Sequence, residues 1–112
     1  MHSAPHRNNS DFQLRYFIAN NCSTPDMAWC ILYEQKLDII TRLAASKAQL
    51  LRREVRGIEL QQAANVPNLS RLDQLRLEAN LIEFRSSEGM LELAIQGAEA
   101  ELATIEGLMA EL

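Results

Sequence analysis

The chain has 112 residues, of which 47% are hydrophobic and 23% charged, and its formal net charge is −4. This composition is typical of a single globular domain and excludes a disordered chain. The acidic balance argues against nucleic acid as the main ligand, because that binding relies on Lys and Arg side chains that neutralise phosphates. No apolar run is long enough to span a membrane, and the first residues lack the apolar core of a secretory signal, so we expect a cytoplasmic protein.

The residue types favour helices throughout, beginning with a short one. Only four Gly and three Pro interrupt a chain rich in Leu, Ala, Glu, Arg and Gln, which are good helix formers. The polar residues 1–9 predict a flexible lead. Ser10 and Gln13 then have the spacing of a capping box, which predicts a short helix over about residues 11–19 that stops at Asn20. A helix this short is stable only when it is docked on another segment.

A long helix is predicted next, over about residues 25–64. Thr24 is a typical N-cap residue, and Pro25 suits the first helical position because its missing N–H is not needed there. The helix should end before Pro67, since the residue that precedes a proline is disfavoured in helical geometry. An apolar stripe at helical spacing is expected to face the rest of the fold, and its members are Tyr33, Leu37, Ile40, Ala44, Ala48, Leu51, Val55 and Ile58.

A second long helix is predicted over about residues 70–112, where Ser70 and Asp73 form another capping signature. It carries a heptad seam of apolar residues at alternating steps of four and three. The members of this seam are Leu77, Leu81, Phe84, Leu91, Ile95, Ala98, Leu102, Ile105, Met109 and Leu112. The weakest turn is Ser-Ser-Glu-Gly at residues 86–89. We expect a continuous helix, and a break there, which would give a three-helix arrangement, is the alternative.

Together these elements predict an all-α fold in which residues 10–112 form one domain, a long antiparallel helical hairpin similar to a coiled coil, with a short N-terminal helix. Reflection through the polar turn between the long helices places residue i beside about residue 134 − i. Arg42 is then expected near Glu92. The basic group of Arg52, Arg53 and Arg56 is expected beside Glu78 and Glu83, in solvent-facing ion pairs.

The open end of this hairpin is the first candidate site, because it collects aromatic and acidic side chains. Aromatic residues are common in binding hot spots, so this end is a candidate for docking a protein partner. Its candidate residues are Phe12, Tyr16, Phe17, Trp29, Tyr33, Glu101 and Glu106. The alternative is that the short N-terminal helix folds back and closes the apolar end, which requires no ligand.

A second apolar line on the last long helix is the candidate surface for self-association. Its members are Leu75, Ala79, Ile82, Met90 and Leu93. This line is expected next to the heptad seam, and the two are together wider than a single partner helix can cover. Two hairpins packed as a four-helix bundle would cover both, so we expect a homodimer or an obligate complex with another helical protein. If the chain is a monomer, the N-terminal helix should cover this line instead.

Sequence motifs for catalysis or cofactor binding are not found. No histidine follows His6, so the helical body has no histidine to act as a base for a Ser or Cys nucleophile. A zinc set built from His2, His6, Cys22 and Cys30 has spacings unlike those of zinc sites, and both cysteines are expected to be free thiols. We therefore expect no enzyme activity, no cofactor and no metal.

Two functions remain open from the sequence. The first is a structural or adaptor protein that acts through protein–protein interaction by its coiled-coil hairpin. The second is a small acidic regulator or inhibitor that docks its acidic, aromatic end on a basic surface of a target enzyme. In its small size, acidity and helical composition the chain is similar to accessory proteins of bacteriophages, a similarity of general character that no single motif carries.

Overall fold

A computed structural model describes residues 5–112, with side chains from residue 12 onward. The described part is all-α, and its helices are α1 (Pro5–Asn21), α2 (Pro25–Ala64), α3 (Arg71–Ser86) and α4 (Met90–Ala110). Helix α2 packs against α4 in one part of the chain and against α3 in another, which confirms the predicted all-α helical-hairpin fold class. None of these helices, over the residues described, combines the length and the apolar character that crossing a membrane requires.

The predicted starts of the two main segments are confirmed by their capping hydrogen bonds. The backbone N–H of Met27 donates to Oγ1 of Thr24 at 3.2 Å, immediately before α2. In the same way the N–H of Asp73 donates to Oγ of Ser70 at 3.1 Å, at the start of α3. Each bond satisfies one of the N–H groups that have no partner in the first turn of a helix.

Helix α1 is longer than predicted, because it begins at Pro5 rather than near residue 11. Residues 5–9, which were predicted as part of a flexible lead, are helical in the structure, and residues 1–4 lie outside the described part. Ser10 lies inside the helix and does not cap it. Residues 5–9 show no apolar periodicity, so a prediction based on periodicity does not include them in the helix. They can still be helical, because extending an existing helix is far easier than nucleating one.

The last long helix is interrupted, and the prediction of a continuous helix over residues 70–112 is wrong. Gly89 has a φ of +82°, in the left-handed region that glycine adopts without strain. The hydroxyl of Ser86 donates to the carbonyl of Glu83 at 2.7 Å, and that of Ser87 donates to the carbonyl of Phe84 at 3.0 Å. These side chains satisfy carbonyls that a continuous helix would have bonded, so the break ends α3 with few groups unpaired.

The predicted apolar stripe of α2 is also wrong, because α2 carries two such stripes and the other one is buried. Ile39 is 3% exposed whereas its neighbour Ile40 is 42% exposed. The buried line also passes through polar or small residues such as Ser46 and Gly57, which makes it look less apolar in the sequence. The exposed large hydrophobics of the predicted stripe are Tyr33, Leu37, Ile40, Leu51, Val55 and Ile58.

The contacts divide the chain into two compact units, and each is described by itself. Unit 1 comprises Met1–Ala44 and Ile95–Leu112, and unit 2 comprises Ala45–Ala94. The core of unit 1 joins α2 to α4 and consists of Leu32, Ile39, Ala98, Ile105 and Leu108. Partly buried side chains from α1, α2 and α4 pack against it. Unit 1 thus has a small core to which three helices contribute.

Unit 2 joins the second half of α2 to α3 mainly around Phe84. A Cβ added at Gly57 would lie 3.1 Å from Cζ of Phe84, so the ring packs directly on the α2 backbone. The guanidinium of Arg53 lies 3.8 Å from the centroid of the same ring and donates to the Phe84 carbonyl at 2.6 Å. Arg53 is therefore a partly buried packing residue, and the predicted solvent-facing ion pair with Glu83 is wrong.

Candidate interaction surfaces

The aromatic residues predicted at the open end form two stacked pairs in unit 1. The rings of Phe12 and Tyr16 lie 6.4 Å apart on α1, and those of Trp29 and Tyr33 lie 5.0 Å apart with an interplanar angle of 8° on α2. All four side chains and that of Phe17 are exposed. The structure thus leaves this aromatic set on the surface, with one stacked pair on α1 and one on α2.

Helix α1 docks on unit 1 through other side chains. Leu14 and Ile18 are half-buried and pack against the core cluster. Arg15 and Glu111 form a two-pronged ion pair, with N–O distances of 2.7 and 2.8 Å. The hydrogen bond from Arg15 holds the pKa of the Glu111 carboxyl below its ordinary value of 4.5. The short helix therefore packs on the core of unit 1 through Leu14 and Ile18, while its aromatic rings stay exposed.

The acids predicted for partner binding are already paired within unit 1. Glu101 accepts a hydrogen bond from Arg42 at 2.8 Å, and Glu106 lies 3.3 Å from the Lys36 ammonium. The prediction that placed Arg42 near Glu92 is wrong, because the register between α2 and α4 differs from a simple reflection through the turn. A basic target would have to compete with these ion pairs, which weakens the acidic-docking hypothesis.

An open cleft of about 480 Å³ lies between α1, α2 and α4 in unit 1. Phe17 and Ile39 supply apolar walls, and the Arg42–Glu101 ion pair contributes a charged edge. The two charges neutralise each other, so the cleft offers no uncompensated charge from this pair for a ligand. Sequence reasoning missed this cleft, because it depends on where α1 docks.

The predicted self-association residues are all uncovered in unit 2, two of them on α3 and two at the start of α4. Ile82 is 66% exposed and Leu93 is 69% exposed, and Leu75 and Met90 are exposed as well. Helix α1 packs on the core of unit 1, so the predicted alternative in which it covers this line is wrong.

The sequence suggested that the uncovered face of α3 lies next to its packed side. In the structure the two are on roughly opposite sides of the helix. The half-buried residues Leu77, Leu81 and Phe84 line clefts shared with α2. Because successive residues are about 100° apart around a helix, Leu75 and Ile82 lie on roughly the opposite side of α3. A partner could therefore reach this face without displacing α2.

Unit 2 carries a second uncovered face, on α2. Leu51, Val55 and Ile58 are exposed and recur at steps of four and three. Across residues 45–94, all of which the structure describes, Leu60 is the one buried large hydrophobic side chain. Exposed large hydrophobics greatly outnumber it, a balance that is unusual for a monomeric domain. These exposed side chains indicate a protein partner or an oligomer.

The thiols and acids do not form a metal site in the part of the chain that the structure describes. Cys22 is half-buried and Cys30 exposed, and both are free. No group of three or more His, Cys, Asp or Glu side chains that could hold a metal ion occurs among those residues. His2 lies outside them, and the side chain of His6 is likewise not described.

No protein-family model matches this chain, and neither the curated proteins nor the solved structures show a match to it. The interaction surfaces therefore rest on the residues of this chain itself.

Proposed function

We propose that this chain is a non-enzymatic structural or adaptor protein that acts through protein–protein interaction, and that it forms a homodimer or an obligate complex with another helical protein. The observation that carries this proposal is the balance of apolar surface in unit 2, where Leu60 is buried while both α2 and α3 present uncovered apolar faces. Burying such faces is the main favourable term in helix association.

Two faces on two helices suit an adaptor better than a simple dimer. The face around Ile82 lies on the side of α3 away from α2, and the face around Val55 belongs to α2 itself. One face can bind a second copy while the other remains available for a different helical partner. A closed four-helix bundle would require both faces to point to the same side, and the position of Ile82 relative to Phe84 disfavours that.

The acidic regulator is the weaker candidate. Glu101 and Glu106 are paired with Arg42 and Lys36, so they present less free negative charge than the sequence suggested. The exposed Trp29–Tyr33 stack still offers an aromatic contact of the kind found in hot spots. Such a contact would bind a partner whether or not that partner is basic.

The test measures association of the full chain and its capture of partners. The mass in solution should exceed 12.7 kDa at high concentration, or a defined partner should be retained by the wild type and lost when Ile82 and Leu93 are both changed to Lys. A matched control changes the exposed Glu99 and Thr41 to Lys, which leaves the apolar faces of unit 2 unchanged. The proposal would be contradicted if the wild type is a monomer and retains no partner whose binding is lost in the Ile82 and Leu93 double variant.

A further inference from the structure

We propose that α3 pairs with α3 of a second copy of this chain in an antiparallel contact with two-fold symmetry. In this contact Arg76 meets Glu83 of the second copy, and Glu78 meets Arg85 of the second copy. The inference rests on the proposed self-association and specifies its surface, its direction and its register.

The uncovered face of α3 has the layout of a coiled-coil seam. Its central line follows steps of three and four, and the residues on it are Leu72, Leu75, Ala79, Ile82 and Ser86. Charged residues flank this line on both sides. Arg76 and Glu83 form one edge, and Glu78 and Arg85 form the other. Each edge thus carries one basic and one acidic residue seven positions apart.

The flanking charges select the antiparallel direction. In an antiparallel pair each edge faces the same edge of the second helix, so Arg76 can meet Glu83 and Glu78 can meet Arg85. In a parallel pair each edge of one helix instead faces the opposite edge of the second helix, which would place Glu78 beside Glu83 of the second copy. Like charges at such positions are destabilising, so a parallel pair is disfavoured.

The same charges select a single register. When Ala79 lies opposite Ile82 of the second copy, both edges bring opposite charges together. Sliding one helix by a heptad in one direction places Arg76 and Glu78 each opposite its own symmetry mate. Sliding it the other way does the same for Glu83 and Arg85. Every neighbouring register therefore replaces attraction with repulsion.

The central line packs well in that register, because each layer combines a large residue with a small one. Ile82 lies opposite Ala79 of the second copy, and Leu75 lies opposite Ser86 of the second copy. Alternation of large and small residues across facing positions lets two helices interdigitate without voids.

The charged groups are available for this contact. No ion pair within the described part of the chain uses Glu78, Glu83 or Arg85. Arg76 makes one long contact of 3.8 Å with the exposed Asp73, which contributes little. In unit 1, by contrast, Lys36 and Arg42 are paired with acids of α4. The unpaired charges of α3 are thus concentrated around an uncovered apolar line.

Charge reversal in the full-length chain tests the proposal. Arg76→Glu alone and Glu83→Arg alone should each weaken self-association by about tenfold, because each change creates two like-charge contacts per dimer. An equimolar mixture of the two variants should recover association as a heterodimer, since every reversed charge then meets an opposite one. Sedimentation velocity over a concentration series at low salt measures the strength, and native mass spectrometry identifies the heterodimer.

The matched controls are Arg52→Glu and Glu59→Arg, which reverse charges beside the other uncovered face, on α2. They should leave self-association unchanged, and circular dichroism should show that all four variants keep their helix content. The α3 contact would be overturned if the α3 variants left self-association unchanged. It would also be overturned if the α2 variants weakened self-association and their mixture restored it. Either result would leave the proposed function intact. A wild type that stays monomeric would also overturn it, and the proposed function would then depend on partner capture alone.

Discussion

The packing of α3 on α2 depends on a few individual residues. Phe84 occupies its place because Gly57 lets the ring reach the α2 backbone and Arg53 covers its outer side. In the sequence, Arg53 is one of three neighbouring arginines that all look like solvent-facing residues. The planar guanidinium can both stack on a ring and donate to a carbonyl, which suits a partly buried position.

Gly89 lies in the break between α3 and α4, and it can be compared with a glycine inside a helix. Gly89→Ala should lower the free energy of unfolding by about 1–2 kcal/mol, because alanine is strained at positive φ. Gly97→Ala should raise it by up to about 1 kcal/mol, since Gly97 is helical and an added Cβ would meet nothing within 4 Å. Urea unfolding at one protein concentration measures both. A Gly89→Ala variant as stable as the wild type, or more stable, would mean that the break does not depend on the left-handed residue.

At the scale of the element, α2 is a helix with two apolar stripes and one packed side. Both stripes have helical spacing, so periodicity alone does not say which one is buried. The packed side is the one that combines apolar surface with space for side chains of the neighbouring helix. At Gly57, for example, the missing side chain leaves space for the ring of Phe84. The richer stripe, which contains Leu51 and Val55, remains outside.

Two adjacent isoleucines distinguish the packed side of α2 from the uncovered one. Ile39→Ala should cost about 2–5 kcal/mol, because it opens a cavity in the core of unit 1. Ile40→Ala removes the same atoms from a side chain that is largely in water and should cost less than about 1 kcal/mol. Thermal and urea unfolding of the two variants provide the comparison. If Ile40→Ala were the more destabilising change, the stripe that the sequence predicted would be the buried one.

The docking of α1 should depend on pH through Glu111. Its pKa is lowered in the folded chain by the hydrogen bond from Arg15, so the carboxylate stabilises the fold at pH values above its ordinary pKa of 4.5. That contribution is lost as the pH falls through the lowered pKa, where the carboxyl becomes protonated. Glu111→Gln should therefore lower the Tm at neutral pH and have no effect in strong acid.

Glu99→Gln is the matched control for this pH dependence, because it changes an exposed acid of α4, the helix that precedes Glu111, and no ion pair of Glu99 occurs in the described residues. Its Tm should follow that of the wild type across the same pH series. A constant difference between Glu111→Gln and the wild type at every pH would show that the Arg15 contact does not stabilise the fold.

At the scale of the whole molecule, the two units differ in how much apolar surface each one buries. Unit 1 has a cluster of five buried side chains with further residues packed on it. Unit 2 has Leu60 and the half-buried contacts around Phe84. Local stability follows the number of buried apolar contacts, so unit 2 should open more readily when it has no partner.

Hydrogen exchange should reveal this difference and its dependence on concentration. In dilute protein the amides of α3 should exchange faster than those of α4 around Ile105, after correction for intrinsic rates. At higher concentration the protection of α3 should rise, because binding to a second copy stabilises the folded form by mass action. Equal protection of α3 and α4 in dilute protein would contradict the assignment of unit 2 as the part that needs a partner.

The sequence by itself determined the class of fold and most helix boundaries. Thr24, Ser70 and Pro67 act within one or two turns of their own position, through caps and fixed backbone angles, so their effects can be predicted locally. The exposed face around Ile82 was also predictable, because one helix carried more apolar surface than one partner could cover.

Tertiary structure decided which stripe of α2 is buried, where α4 pairs with α2 and which charges meet. Those outcomes depend on the shapes of two helices at once, such as Gly57 against Phe84, and on the turn inserted at Gly89. A one-dimensional pattern records that a side is apolar but not whether a second helix fits against it. The physical reason is that burial belongs to a pair of surfaces, whereas periodicity belongs to one.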